Sequence, residues 1–83
     1  MVNVVILVSG TALVCQLEEI LGNPGEADCK VINPYEIISE DLSLKKWPAY
    51  TNKTDIELRS ENILTIVDPT KEILVKYLEL TAE

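Results

Sequence analysis

Few residues in this chain could do chemistry, and most of those are charged rather than nucleophilic. Lys45, Lys46 and Lys53 fall in the stretch LSLKKWPAYTNK, at 42–53, which also holds the only tryptophan, Trp47, and one of three tyrosines, Tyr50. Lysines interleaved with aromatics are the materials of a single-strand nucleic-acid contact: ammonium groups neutralise phosphate and rings stack on bases. The same residues also suit a structural use. Trp47 would then anchor the core or a subunit interface, Pro48 would bend a strand, and the lysines would form a solvated face. A fourth basic residue, Arg59, opens the polar turn RSEN. Its planar guanidinium can stack on a base or grip phosphate. Asp28 offers a carboxylate that either reads a base edge or pairs with Arg59 as a structural ion pair.

Catalysis is not expected. The adjacent carboxylates Glu18-Glu19 and Glu40-Asp41 fall at strand ends or in loops, and neighbouring strand residues point to opposite faces. Histidine is absent, and the two cysteines, Cys15 and Cys29, do not form a C-x-x-C pattern, so no metal site and no cofactor are expected. Both cysteines sit among strand-like residues and read as reduced, buried thiols rather than a disulfide. The formal net charge of -7 at pH 7 opposes capture of a long polyanion. A local basic site still survives it, because charges more than about 8–10 Å away are largely screened at physiological salt.

The elements that must position these side chains are mostly strands. A length of 83 residues makes one domain with a modest core, and an apolar fraction of 47% leaves a surplus that closes against another subunit. The opening MVNVVILVSG has no basic leader region and its apolar run at 4–8 is too short to span a bilayer, so a soluble, cytoplasmic protein without membrane contact is expected. Residues 2–8 read as a strand buried on both faces. Ser9-Gly10 reads as a two-residue hairpin turn. In TALVCQLEEI, Leu13, Cys15 and Leu17 share one face, and Ala12, Val14, Gln16 and Glu18 the other. LGNPGEA is a loop, and DCKVINPYEII a strand kinked or edge-exposed at Pro34. DIELR alternates with Ile56 and Leu58 inward, SEN is a turn, and ILTIV is the last strand. A helix follows over about 69–81, with Asp68 as N-cap, Pro69 in its first position, an apolar stripe of Ile73, Leu74, Tyr77 and Leu78, and a Glu72–Lys76 pair outside.

Two segments carry a family resemblance. LVSGTALVCQLEE, at 7–19, is similar to the first Sm motif, with Ser9-Gly10 at the hairpin tip, Cys15 as the small residue and Leu17 as the leucine. LRSENILTI, at 58–66, is similar to the second Sm motif, with Ser60 where that family prefers glycine. With DCKVINPYEI, the likeness to the Sm-like (LSm) proteins covers most of the chain. It implies a mainly β fold: a small, strongly bent, five-stranded antiparallel barrel, here a single domain over 1–83 with the helix at its end rather than its start. NPYEI, WPAYT and VDPTKE look closer still to small Sm-like proteins of marine cyanophage origin, which implies the cytoplasm of an infected bacterial host and a role in phage nucleic-acid processing.

The resemblance also implies a site and a partner. In Sm rings a base is held by an Asn or Asp of the loop before the third strand and by the arginine of the second motif, positions that fall on Asp28 and Arg59. Ser60, Lys45, Lys46, Lys53 and Tyr50 complete the candidate nucleic-acid contacts, and 42–53 falls in the fourth-strand region and the loop beside it. Trp47, Ile63 and Ile66 are expected in the core or a subunit interface. The implied partners are further copies of the chain, in a homo-oligomeric ring, and single-stranded RNA or DNA. The other reading is a scaffold ring that binds no nucleic acid.

Overall fold

The computed structural model describes residues 1–82. Its elements run β1 (Val2–Leu7), β2 (Ala12–Glu19), β3 (Cys29–Ile38), β4 (Ser43–Lys46), β5 (Asp55–Leu58), β6 (Ile63–Val67) and α1 (Lys71–Thr81), with a 3-10 turn at Ser60–Asn62 joining β5 to β6. The sheet order is β4-β3-β2-β1-β6, and β5 also pairs with β3. All pairings are antiparallel. The fold is therefore mainly β with one C-terminal helix, as expected. The five-stranded closed barrel is not what one chain forms: six strands make an open sheet. Among the described residues, β6 lies at one end and the β4 and β5 edge at the other, and the two ends do not pair.

The reason for the sixth strand is a bend in β3. Val14 pairs with Tyr35 and Gln16 with Ile32, so Cys15 alone faces both Asn33 and Pro34. This is a β-bulge. Asn33 takes a left-handed φ of 50°, a conformation asparagine tolerates better than most residues. Pro34 has no N–H to offer the ladder, so the bulge is where it fits. On one side of the bend, residues 29–32 pair with β5. On the other, residues 35–38 pair with β4. The kink expected at Pro34 thus splits the fourth-strand region into two short strands joined by a loop.

The sheet buries both faces. Val5, Leu7, Leu13, Cys15 and Val31 form one core, with Leu17, Trp47, Ile56, Leu58 and Ile63 packed on it. Val4, Val14, Ile73 and Tyr77 form a second core beneath α1. This explains why 2–8 shows so little alternation, and why Leu13 and Val14, adjacent in sequence, are both fully buried.

Local chemistry differs from the sequence reading at two ends. The first hairpin is closed by Leu7 N–H donating to the Thr11 carbonyl at 2.8 Å, leaving a three-residue loop of Val8, Ser9 and Gly10 rather than a two-residue turn. Gly10, at φ 96°, supplies the left-handed position such a loop needs. The helix begins at Lys71 with Thr70 as N-cap, its hydroxyl accepting from Ile73 N–H at 3.3 Å; Asp68 and Pro69 precede it. The Glu72–Lys76 pair forms, at 3.5 Å. Of the expected stripe, Ile73 and Tyr77 are buried, Leu74 is half-buried and Leu78 is exposed. Among the described residues no helix is long and apolar enough to cross a membrane.

Tyr77 ties the helix to the sheet. Its hydroxyl donates to the Ile32 carbonyl at 3.2 Å, beside the β3 bend, and its ring meets Tyr35 edge-on with centroids 6.0 Å apart. Lys76 also donates to the Leu42 carbonyl at 3.1 Å, which steadies the β3–β4 hairpin where Leu42 takes a φ of 57°. Burial first, then Cys15 and Tyr35, pushes the Tyr77 phenol from 10.0 up to about 12. Between those values the unfolded chain has released this proton and the folded chain has not, so stability falls as pH rises through that window. Urea titrations should show a shallower alkaline loss in Tyr77→Phe than in the native protein, because the buried Cys15 thiol, also raised to about 12, keeps its own share; the variant should itself cost about 1 kcal/mol at neutral pH. Tyr77→Ala should cost about 3–5 kcal/mol.

Candidate functional site

The loop of 20–28 and the turn between β5 and β6 meet at one end of the sheet. Asp28 stands at their junction. Its backbone N–H donates to the Leu58 carbonyl at 3.1 Å, and its own carbonyl accepts from Ile20 N–H at 3.0 Å. Its carboxylate accepts twice from Ser60: from the backbone N–H at 2.6 Å and from the hydroxyl at 2.7 Å. These two bonds hold the Asp28 carboxyl below its ordinary range, the side-chain bond contributing most. Gly22 packs against the Ala27 carbonyl so closely that a Cβ would collide with backbone, which lets the loop fold tightly over this corner. The Glu26 carboxylate accepts from Asn23 N–H at 3.1 Å and closes the tip.

An open groove of about 230 Å³ lies between loop and turn, lined by Asn23, Glu26, Asp28, Arg59, Ser60 and Glu61 among others. Asp28, Arg59 and Ser60 do come together here. The ion pair between Asp28 and Arg59 does not form. Arg59 pairs with Glu61 at 3.1 Å, both side chains well exposed, and Asp28 is engaged by Ser60. The register explains this. Arg59 follows Leu58, whose side chain points into the core, so the guanidinium projects outward toward its own turn, while Ser60 carries the N–H that faces Asp28. Three carboxylates, of Glu26, Asp28 and Glu61, share the groove with one guanidinium. Such a surface can accept from donor groups but repels phosphate except where Arg59 reaches it.

The candidate residues of 42–53 lie elsewhere, around the bend of β3. Lys46 is exposed, but its ammonium is engaged: it donates to the Thr51 carbonyl at 2.7 Å and the Lys53 carbonyl at 3.2 Å. It holds the 47–54 loop across its open face. The loop is also tied at both ends of the bulge, by Trp47 N–H to the Pro34 carbonyl at 3.1 Å and Asn33 N–H to the Thr54 carbonyl at 2.7 Å. Trp47 is half-buried against the first core, Ile63 is half-buried beside it, and Ile66 is exposed. Lys45 and Lys53 are exposed and take part in no ion pair among the described residues, and Tyr50 is 96% exposed at the loop tip.

The Ser60 clamp on Asp28 and the carbonyl cage around Lys46 were both invisible in the sequence reading. The first joins residues 32 apart, and only the sheet register brings them together. Both cysteines are buried and free. Burial pushes the Cys15 thiol up to about 12, and burial followed by Asp28 raises that of Cys29, so neither is a thiolate at neutral pH. Among the described residues no group of His, Cys, Asp and Glu side chains could hold a metal ion.

Asp28 makes the corner acid-sensitive. Because its folded value lies below its unfolded one, its stabilisation is complete above the unfolded value of about 3.9 and disappears as pH falls through the folded value. Thermal melts from neutral pH to about pH 2 should show an acid limb that is shallower in Asp28→Asn. An identical acid limb in the two proteins would mean the Ser60 clamp contributes nothing.

No curated protein matches the chain at a significant level. A family model described as "Family of unknown function (DUF6561)" matches residues 1–82, nearly the whole chain. The chain belongs to that family.

Proposed function

We propose that this chain is an Sm-like protein that assembles with copies of itself into a ring through its open sheet edges, and that the ring presents single-stranded RNA or DNA with a weak contact surface. The observation that carries the reading is the pair of unmatched edges. β6 ends the sheet with Leu64 67% exposed and Ile66 and Val67 each 45% exposed. An apolar edge strand with unpaired backbone groups is a template for another strand, and soluble proteins cover such edges. The opposite edge, β5, carries Asp55 and Glu57 outward and keeps Ile56 and Leu58 on the core face. Pairing β6 of one copy with the β5 edge of the next extends the first core across the junction, and repetition around an axis closes the barrel-like wall that one chain leaves open. The strand order and the short turn between β5 and β6 also support the Sm-like reading. The cytoplasm of a phage-infected bacterium and a role in nucleic-acid processing belong to this reading through the resemblance alone.

The reading is non-enzymatic: it asks the protein to bind and assemble. A scaffold ring without nucleic acid is the second reading, favoured by one specific observation. The groove at Asp28 is dominated by carboxylates, and its one guanidinium is already paired with Glu61.

Light scattering at micromolar concentration should give a mass of several chains for the native protein and a single chain for Ile66→Glu, which sets a carboxylate against the acidic β5 edge. A native monomer at that concentration contradicts the assembly. Fluorescence anisotropy at low salt should detect binding of a labelled single strand that weakens steeply as salt rises. Assembly without any such binding favours the scaffold.

A further inference from the structure

The 47–54 loop is built more firmly than its exposure explains. Five hydrogen bonds hold it: two from the Lys46 ammonium, one from Lys53 N–H to the Thr51 hydroxyl at 3.2 Å, and the two backbone bonds at the β3 bulge. Fixing a loop costs conformational entropy, and burial of its tip does not offset that cost, because Tyr50 is 96% exposed. An aromatic ring held out to solvent on a braced loop is pre-organised for a flat partner. The charges point to the kind of partner. Residues 42–54 include three lysines and no acidic residue, in a chain with a net charge of -7. Lys46 is spent on the brace, and Lys45 and Lys53 remain at its two ends. A cavity of about 150 Å³ beside the tip is lined by Tyr50, Trp47, Pro48, Lys45 and, from the neighbouring strand, Glu36, the register partner of Lys45.

We propose that this loop is a base-reading tip. Tyr50 stacks on one nucleobase of a single strand, Lys45 and Lys53 take its flanking phosphates, and the Glu36 carboxylate accepts from the exocyclic amine of the base. The inference rests on the single-strand reading above but moves the contact from the Asp28 groove at the start of β3 to the loop at its bend. Aromatic stacking accepts any base. Glu36 adds selectivity: a carboxylate accepts from the two-hydrogen amine of cytosine or adenine, whereas thymine and uracil offer it one ring N–H flanked on both sides by carbonyl oxygens that repel it. The tip therefore prefers bases that bear an amine.

Fluorescence anisotropy with short labelled oligo-dC, oligo-dA and oligo-dT at low salt tests this on the native protein and three variants. The native protein should bind oligo-dC and oligo-dA more tightly than oligo-dT. Tyr50→Ala, at a site too exposed to disturb folding, should weaken all binding about tenfold or more. Glu36→Gln, whose amide both donates and accepts, should bring oligo-dT level with oligo-dC. Arg59→Ala should change little. Equal native affinity for all three oligomers, or native-like binding by Tyr50→Ala, overturns the tip. Binding lost in Arg59→Ala but kept in Tyr50→Ala overturns it while leaving the single-strand reading in place at the groove. No binding of any oligomer by the native protein overturns both.

Discussion

The bend of β3 at Asn33 and Pro34 is the constraint on which the rest of this fold depends. A single straight ten-residue strand would take one long partner on its outer edge. The bulge gives it two short ones, β5 before the bend and β4 after it. That division creates the 47–54 loop, places Trp47 over the first core, and leaves β5 with a free edge at the same end of the sheet as the Asp28 corner. Tyr77 locks the geometry from the other face by bonding to the carbonyl of Ile32, next to the bend. A helix that would otherwise be a lid is thereby tied to the hinge of the sheet.

Two polar clamps then separate the two candidate surfaces. At one end, the Asp28 carboxylate holds the β5–β6 turn through Ser60, which leaves Arg59 to its neighbour Glu61. At the bend, Lys46 holds the long loop through backbone carbonyls, which leaves Lys45 and Lys53 free to act. In each case one charged residue is the brace, and a second charged residue of the same surface is left out of it. Residues 42–54 themselves carry no acidic side chain, although Asp41 and Asp55 flank them, so a short cationic stretch coexists with a net charge of -7.

Much of this was legible in the residues. Leu13, Cys15 and Leu17 against Val14, and Ile56 and Leu58 against their polar neighbours, announced the faces of β2 and β5 through period-two alternation alone. Pro34 announced the kink. What the sequence hid was register and reach. Nothing in the spacing of 28 and 60 shows that the carboxylate meets serine rather than arginine, because a shift of one residue along β5 decides which side chain faces it. The helix start was misread for a related reason: Asp68, Pro69 and Thr70 all favour helix entry, and only the backbone path selects Thr70 as the cap. Closure of the barrel was expected from family likeness. A single chain cannot show it, since the strands that would close the wall lie at opposite ends of an open sheet.

Self-pairing of the sheet edges is the central claim, and backbone hydrogen exchange reads it most directly. Deuterium uptake measured at high and low protein concentration separates amides bonded within a chain from amides bonded between chains. At high concentration, amides of β5 (Asp55–Leu58) and β6 (Ile63–Val67) should be protected comparably to those of the central β1, and dilution below the assembly threshold should release only the edge amides, those that point away from β3 and β1. Edge amides that exchange rapidly at every concentration, beside a protected β1, would contradict the account.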